Sequence, residues 1–365
     1  MDISVPYYED LSRISNSNIG WFLNKGPAFL YKMLTEPPPE EKNPVLERGT
    51  MIHEYILQPE EFQKDYVVWD KSRPSSAQQE KFCQELAFST EIEPNRAILS
   101  AYKEAYSTAG KSEDKMLSEG LKISSSLSEY IDFLKANDGR IMISPSEYQM
   151  LKKIKYNVLA HKLAKTLLYP DGEYGIYSYE MMPNYFKEDT TRASEYEKLT
   201  WHEFHINWEY TYYCGLNKQD ENGNISKKCE VHCKSLLDGL TLDFKRKIAT
   251  IYDLKTTQKL WHFEDSIEQY DYLRQLAYYK QAVMWYLKNE CDEDPNKWSF
   301  SFYIIGIDTT GTCEIRVFSI DDKTVQTRND TIRDALRDIF WHKNTGNWKH
   351  SRRYYEGDGS ESLNL

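Results

Sequence analysis

Between Leu236 and Thr257 the chain reads LLDGLTLDFKRKIATIYDLKTT, and this stretch constrains the fold more than any other. Apolar and β-branched residues fill both halves and the basic run Lys245-Arg246-Lys247 divides them, which predicts two short strands joined by a turn. Each strand carries an acid among apolar neighbours: Asp238 beside Leu237, and Asp253 beside Leu254. A carboxylate at the edge of a buried strand is costly unless something compensates it. Side chains two apart in a strand share a face, so Asp253 and Lys255 point the same way. Two converging carboxylates, with the carbonyl of Leu254, offer the hard oxygen ligands that magnesium takes and leave positions for water and phosphate. Magnesium so held polarises a phosphate and lowers the pKa of an attacking water. Lys255 can orient that water or neutralise charge developing on phosphoryl oxygens. The spacing D-x(14)-D-x-K alone is weak, because in a chain with 57 acidic residues a solvated strand face accounts for it equally.

Around this stretch the periodicity predicts both helices and strands. ISNSNIGWFLNKGPAFLYKML reads as two short helices, the first capped by Ser15 or Ser17, with Gly26-Pro27 breaking it and starting the second. RGTMIHEYILQPEEF sets Met51, Ile52, Tyr55 and Ile56 on one helical face, with His53 inside that helix. From Asp70 to Gly139 the chain is polar, weakly helical and broken by Ser, Pro and Gly, which reads as an inserted helical lobe. Ser144-Pro145-Ser146-Glu147 has the cap chemistry of a helix start, so one helix is expected from there to Leu168. Beyond Tyr169, GIYSYEMM, LTWHEFHINWEYTYYCGL, CEVHCKSLLDGLTLDF and ATIYDLKT read as strands of one antiparallel-leaning sheet, with turns at Asn222-Gly223 and at Lys245 to Lys247. A long helix from Phe263 to Asn289, a hairpin through Thr309 to Thr312 and a last helix from Asp321 to His342 follow, and the tail beyond Tyr355 reads as disordered.

Composition excludes some classes. No run approaches the roughly 18 apolar residues of a membrane span, and MDISVPYYEDLSR lacks the basic and apolar regions of a signal peptide. Six scattered cysteines make no disulfide framework. A cytoplasmic protein with free thiols and no membrane partner is expected. Cys229, His232 and Cys233, with Cys214 and His205 nearby, have C-x(3)-C spacing without a second matching pair, which counts against structural zinc.

Several motifs together resemble the PD-(D/E)XK nuclease superfamily, and within it the RecE-type exonucleases and their phage, exodeoxyribonuclease VIII-like relatives, which are related to lambda exonuclease and the nuclease domains of RecB. ISNSNIGWFLNKGPAFLYKML looks like their helical entry, RGTMIHEYILQPEEF like their G-x-x-x-H helix, SLLDGL and IYDLKTT like their acidic motifs, and RQLAYYKQA like their Q-x-x-x-Y helix. The likeness runs from Ile14 to Tyr286, with the inserted lobe and the C-terminal part matching poorly. It implies an α/β fold with a restriction-endonuclease-like core, a central mixed sheet flanked by helices and a helical insertion. Residues 1–69 would be the N-terminal helical part, 70–143 the insertion, 144–342 the catalytic core, and 343–365 a basic segment and tail. The resemblance makes His53 a metal-site residue, Asp238 and Asp253 the main metal ligands and Lys255 the catalytic lysine. Gln275 and Tyr279 would hold the substrate backbone or the site itself. Glu203, in WHEFHINW, matches a position where relatives carry an acid and is expected near a second metal or its water, although an outward-facing strand glutamate explains it as well. Thr256 and Thr257 are candidate hydrogen-bond donors to phosphate. Without the resemblance His53 reads as a helix histidine satisfied by a neighbour, and Gln275 and Tyr279 as helix surface and core.

The implied activity is magnesium-dependent hydrolysis of linear double-stranded DNA from its 5′ end, with manganese as a substitute. It would leave a 3′ single-stranded overhang for an annealing protein or recombinase. Relatives assemble into rings, so a ring-shaped homo-oligomer is expected. An endonuclease of the same fold and a non-catalytic DNA-binding scaffold are the rival expectations; the presence of both acids and the lysine counts against the scaffold. The net charge of -11 opposes binding to a polyanion when taken as a sum. The basic segment Lys343 to Arg353, with Trp348 and Tyr354, is nevertheless expected to contact the DNA backbone through Lys349, Arg352 and Arg353.

Overall fold

Local capping sets the first helices. The Ser15 hydroxyl accepts from the Asn18 N–H while the Asn18 side chain accepts from the Ser15 N–H, which starts α1 (Asn16–Lys25). Gly26 ends it at φ 82°, a left-handed value that side chains resist, and Pro27 opens α2 (Pro27–Thr35). In α3 (Pro44–Leu57) the apolar stripe is buried through Met51, Ile52, Ile56 and Leu57, which leaves His53 half-buried beside it. These elements belong to a computed structural model that describes residues 5–37, 43–136, 139–170, 176–178, 197–215 and 226–361.

The chain divides into two compact units, Met1–Pro59 with Lys152–Leu365, and Glu60–Leu151. The second unit contains most of α4 (Pro59–Asp65), then β1 (Tyr66–Val68), α5 (Ala77–Ala87), α6 (Pro94–Ala105), α7 (Glu113–Ser126), α8 (Ser128–Lys135) and β2 (Ile141–Ile143), which pairs parallel with β1. Its own core gathers Phe82, Cys83, Tyr102, Met116 and Ile131. The bounds of this unit lie outside the interval 70–143 read from composition.

The helix expected from Ser144 to Leu168 is two helices, α9 (Pro145–Ala160) and α10 (Lys162–Leu168). His161 between them is extended, at φ -83° and ψ 110°, and its ring accepts from the Ala164 N–H, so it caps a new helix instead of continuing the old one. The larger sheet has six strands among the described residues: β3 (Ile176–Ser178), β4 (Lys198–Gly215), β5 (Ser226–Asp243), β6 (Ile248–Thr257), β7 (Ser299–Asp308) and β8 (Ile315–Ile320), side by side in that order. The pairs β3–β4 and β6–β7 are parallel and the rest antiparallel, which makes the sheet mixed.

The expected helix over 263–289 also divides, into α11 (Phe263–Gln269) and α12 (Tyr272–Asn289). Asp271 breaks it at φ 49°, a value that asparagine and aspartate tolerate better than most residues, and its carboxylate is held by Arg274 Nε at 3.3 Å and Arg328 Nε at 2.8 Å. The last helix divides at Thr327 and Arg328 into α13 (Asp322–Gln326) and α14 (Asn329–Thr345). The tail is ordered further than expected: α15 (Arg352–Glu356) follows, and the Ser351 N–H and hydroxyl donate to Glu361 at 3.2 and 2.6 Å. The Asn222-Gly223 turn, most of GIYSYEMM and residues 362–365 lie outside the described residues. No helix among the described residues is long and apolar enough to cross a membrane.

The core of the first unit packs α12, through Ala277, Tyr278, Ala282 and Tyr286, among the inward residues of β4 and β5. Those inward residues change phase partway along both strands. In β4 they run Leu199, Trp201 and then Phe204, Ile206, Trp208; in β5 they run Val231, Cys233, Leu237 and then Leu240, Leu242. The register does not slip, since His202 pairs with Gly239 and Phe204 with Leu237. Glu203, at φ 48° inside the strand, therefore lies across from Asp238 where both strands turn their faces over. Beside it, Gly239 gives way to the Tyr252 ring: a Cβ there would stand 1.9 Å from Tyr252 Cε2. We expect Gly239→Ala to destabilise the protein by about 1–3 kcal/mol or more, read as a lower urea midpoint; an unchanged midpoint would mean that Tyr252 moves aside freely.

Candidate metal centre

The centre forms where two strands part. β5 and β6 pair from Asp243↔Ile248 as far as Gly239↔Tyr252, and one more step would set Asp238 against Asp253. Instead the Leu254 N–H donates to Asp238 Oδ2 at 2.7 Å, so a carboxylate takes the place of a ladder carbonyl. β6 remains paired to β7 through Thr257. Its final residues thus present two faces to two helices. On the Thr256 face lies α3, where a Cβ on Gly49 would come within 3.3 Å of Thr256 Oγ1. On the Asp253 and Lys255 face lies α12.

Two groups of side chains meet at this edge. In the first, single ligand atoms of His53, Glu203 and Asp238 all lie within 4.8 Å of one another, and His53 Nδ1 is 3.7 Å from Asp238 Oδ2. In the second, Asp253 is fully buried and held from two sides: Lys255 Nζ is 2.6 Å from Oδ2, and Gln275 Nε2 donates to Oδ1 at 2.9 Å. The same Gln275 nitrogen donates to the Tyr279 hydroxyl at 2.8 Å, across the one helical turn that brings i and i+4 together. Lys255 also stands 5.1 Å over the Tyr272 ring. Leu254 joins the groups, because its N–H fixes Asp238 while its neighbours on either side are Asp253 and Lys255.

Electrostatics sets the two groups apart. Burial, with the charges of Asp238 and Asp253 added, pushes the Glu203 carboxyl well above the usual carboxylate range. Burial also raises Asp238, against the pull of Lys255 and of the Leu254 N–H. Asp253 is raised to about 6 by burial, with Lys255 opposing and Asp238 reinforcing the shift. Burial pulls Lys255 down, but Asp253 and Asp238 together outweigh it and keep the ammonium charged. Burial and Lys255 lower His53 to about 4, so at neutral pH its imidazole is uncharged and has a lone pair to give. Buried acids crowded beside a neutral imidazole, with a single lysine among them committed to Asp253, form a donor set that suits a divalent cation.

His53, Glu203, Asp238, Asp253, Lys255, Gln275 and Tyr279 fall in these two groups and Leu254 links them, whereas Thr256 lies on the α3 face and the Thr257 hydroxyl accepts from the Lys259 N–H. Sequence reasoning missed Glu54, whose charge reaches Glu203, and the exposed Tyr8, which lies within electrostatic reach of Glu203 and Asp238. It also missed Tyr272 beneath Lys255. The phase change around Glu203 is a signal that could have raised that residue from an expectation to a site; nothing in spacing points to Tyr8. In the basic segment expected to meet DNA, Lys349 and Arg353 are exposed, whereas Lys343 and Arg352 are engaged within the chain. The Lys343 ammonium donates to the Ser12 carbonyl, and Arg352 pairs with Glu356 at 2.9 Å and Asp338 at 3.5 Å. Among the cysteines, Cys214 and Cys229 bring their sulfurs to 3.1 Å, whereas His232, on the opposite strand face from Cys229 and Cys233, pairs with Glu209.

Two outcomes follow for the metal-free protein. Glu203 and Asp238 as well as Asp253 must lose their protons for the acids to serve a cation fully, so affinity for manganese, measured by titration calorimetry, should fall by at least about tenfold per pH unit below about 6. Glu203 has a folded pKa above its unfolded one, so its ionisation withdraws stability as pH rises from the ordinary carboxylate range. Glu203→Gln should then melt about 2–4 °C higher than the parent at pH 8, with the gap closing near pH 4.5. A lower melting point at pH 8 would contradict this account.

Residues 196–352 match the model of a family described as "PDDEXK-like domain of unknown function (DUF3799)". The chain is similar to a solved structure described as "Putative exonuclease", from Eubacterium rectale, at 11% identity and a TM-score of 0.43, with 100% of this chain and 96% of that one covered. No curated protein matches it. The fold is mixed α/β, a helical N-terminal region and a mixed sheet flanked by helices, and it includes a PDDEXK-like domain.

Proposed function

We propose that the chain is a metal-dependent deoxyribonuclease of the RecE type, which hydrolyses linear double-stranded DNA from its 5′ ends and leaves 3′ single-stranded overhangs. The observation that carries the reading is the parting of β5 and β6 at Asp238, which places two buried acids and a lysine around one open strand edge. His53, Glu203 and Asp238 would hold the cation, with Asp253 completing the acidic set. Oxygen donors from three carboxylates favour magnesium, and the imidazole is compatible with manganese. When bound, such a cation supplies Lewis acidity toward a phosphate oxygen and toward water.

The chain's own groups do the rest. Asp253 anchors the Lys255 ammonium at 2.6 Å, and Lys255 is placed to neutralise charge that grows on the phosphoryl oxygens in the transition state. Gln275 and Tyr279 fix the Asp253 carboxylate and thereby the lysine. The likeness of GTMIH, LLDGL, YDLKT and QLAYY to the RecE-type motifs supports an end-directed enzyme that supplies an annealing protein or recombinase and works as a ring of identical chains.

Digestion of linear and closed-circular duplex DNA with magnesium, with EDTA and with Asp253→Ala tests this proposal. We expect loss of the linear form only, abolished by chelation and reduced at least a hundredfold by the substitution, about the scale of removing a group that stabilises transition-state charge. End-labelled duplexes should release label from 5′ ends first. Cutting of the circle would make the enzyme an endonuclease. No cleavage with either magnesium or manganese, by protein shown to be folded, would favour a DNA-binding scaffold.

A further inference from the structure

Lys255 of β6 partners Gly306 of β7, and Gly306 partners Arg316 of β8. Residues in register project to the same face, so Arg316 leaves the sheet on the face that carries Asp253 and Lys255. It stands two strands away, about 10 Å at the usual spacing. Gly306 has no side chain to fill the gap, and Leu260 occupies it; a Cβ on Gly306 would come within 2.7 Å of Leu260 Cδ1. Leu260 is buried and begins the short 3-10 turn Leu260–His262, just past the end of β6. With Leu260 pinned, Trp261 is set over Arg316: the guanidinium carbon is 4.5 Å from the indole centre and 5.5 Å from that of Phe318.

Trp261 is nonetheless 69% exposed. The guanidinium steadies one face of the indole by a cation–π contact. Aromatic contacts tie this pair back to the catalytic lysine. Phe318 stacks on Phe263 at 5.0 Å, Phe263 on Tyr272 at 6.0 Å, and Tyr272 lies beneath Lys255. Tyr272 also stacks on Tyr270, a second exposed ring, at 5.7 Å. Exposed aromatic faces backed by arginine are the chemistry with which proteins take up unpaired nucleotides, since every base has a face to stack and every nucleotide a phosphate. In an intact duplex those faces are hidden in the stack, so only an unpaired base can lie flat on the indole.

We infer that Trp261 and Arg316 form a stacking platform for an unpaired base of the DNA strand at the Lys255 site, with the guanidinium facing an adjacent phosphate. The inference rests on the deoxyribonuclease reading above and extends it by naming the single-stranded form as what the enzyme grips beside its catalytic edge.

The test is fluorescence anisotropy with a short fluorescein-labelled oligothymidylate and with a blunt duplex, calcium replacing magnesium to prevent cutting. Trp261→Ala should weaken oligothymidylate binding about 5- to 100-fold, the range for losing one base stack, and leave blunt-duplex binding unchanged. Trp261→Phe should keep most of the affinity, and Arg316→Ala should lose part of it. Because Trp261 is exposed, its variants should melt with the parent. Parent-like oligothymidylate binding by Trp261→Ala overturns the platform, as does failure of the parent to bind that probe. Binding that depends on Trp261 in a protein that cleaves no DNA would keep the platform and reject the nuclease reading.

Discussion

The hydrogen bond from the Leu254 N–H to Asp238 governs this architecture. A strand N–H in a buried sheet must find an acceptor, and the ladder would ordinarily supply a carbonyl from β5. Here the acceptor is a carboxylate that reaches from its own strand. β5 and β6 can therefore separate at a buried position without leaving that donor unpaired. The separation admits α3 to one face of β6 and leaves the other to α12, so residues 185 apart in sequence, His53 and Asp238, approach within 3.7 Å. The left-handed Glu203 lies across from Asp238 at the point where both strands turn over their buried faces. Backbone strain, an exchanged ladder bond and a glycine that yields to Tyr252 thus all fall within one or two residues of each other, as expected where local geometry serves a site.

That arrangement concentrates negative charge in a place that disfavours it. Glu203 and Asp238 face each other across paired strands, Asp253 follows on the next strand, and the one lysine in the group is bound to Asp253. Removing an ionised group from water costs more than a partial partner returns, so the acids respond by holding protons more tightly than usual. A divalent cation is the compact species that could offset two carboxylates at once while its remaining positions face a substrate. The neutrality of His53 points the same way, because a protonated imidazole could pair with Asp238 but could not ligate.

Much of this was legible in the sequence because strand periodicity is a strong constraint. The alternation in IYDLKT places Asp253 with Lys255, and the i, i+4 spacing in RQLAYY places Gln275 with Tyr279; both relations hold in space. What spacing could not supply was the division of labour. Nothing in D-x(14)-D-x-K indicates that Asp253 is taken up by lysine and glutamine while Asp238 joins His53 and Glu203. The helix breaks at His161 and Asp271 were also hidden. Each depends on a cap or a salt bridge made at a particular backbone angle, and Asp271 is held by Arg328, 57 residues away. Apolar periodicity continues through both breaks, so a reading based on period alone extends the helices.

Charge read along the chain does not show which basic residues are taken up inside it. Several basic residues hold the N-terminal segment in place and do not form an outward surface. Lys234, buried in β5, donates to the carbonyls of Tyr7 and Asp10 at 2.5 Å, Lys343 donates to that of Ser12, and Arg274 to that of Asn16. The Tyr278 hydroxyl adds a bond to the Ile14 carbonyl, and Ile14 bridges to Cys233. A segment with little secondary structure of its own is thereby laid along the sheet, and it carries Tyr7 and Tyr8 to the acids. An ammonium that satisfies two carbonyls inside a fold is not available to a phosphate. Lys255 beside the parted strands and Arg316 under an exposed indole stand on one face of the sheet.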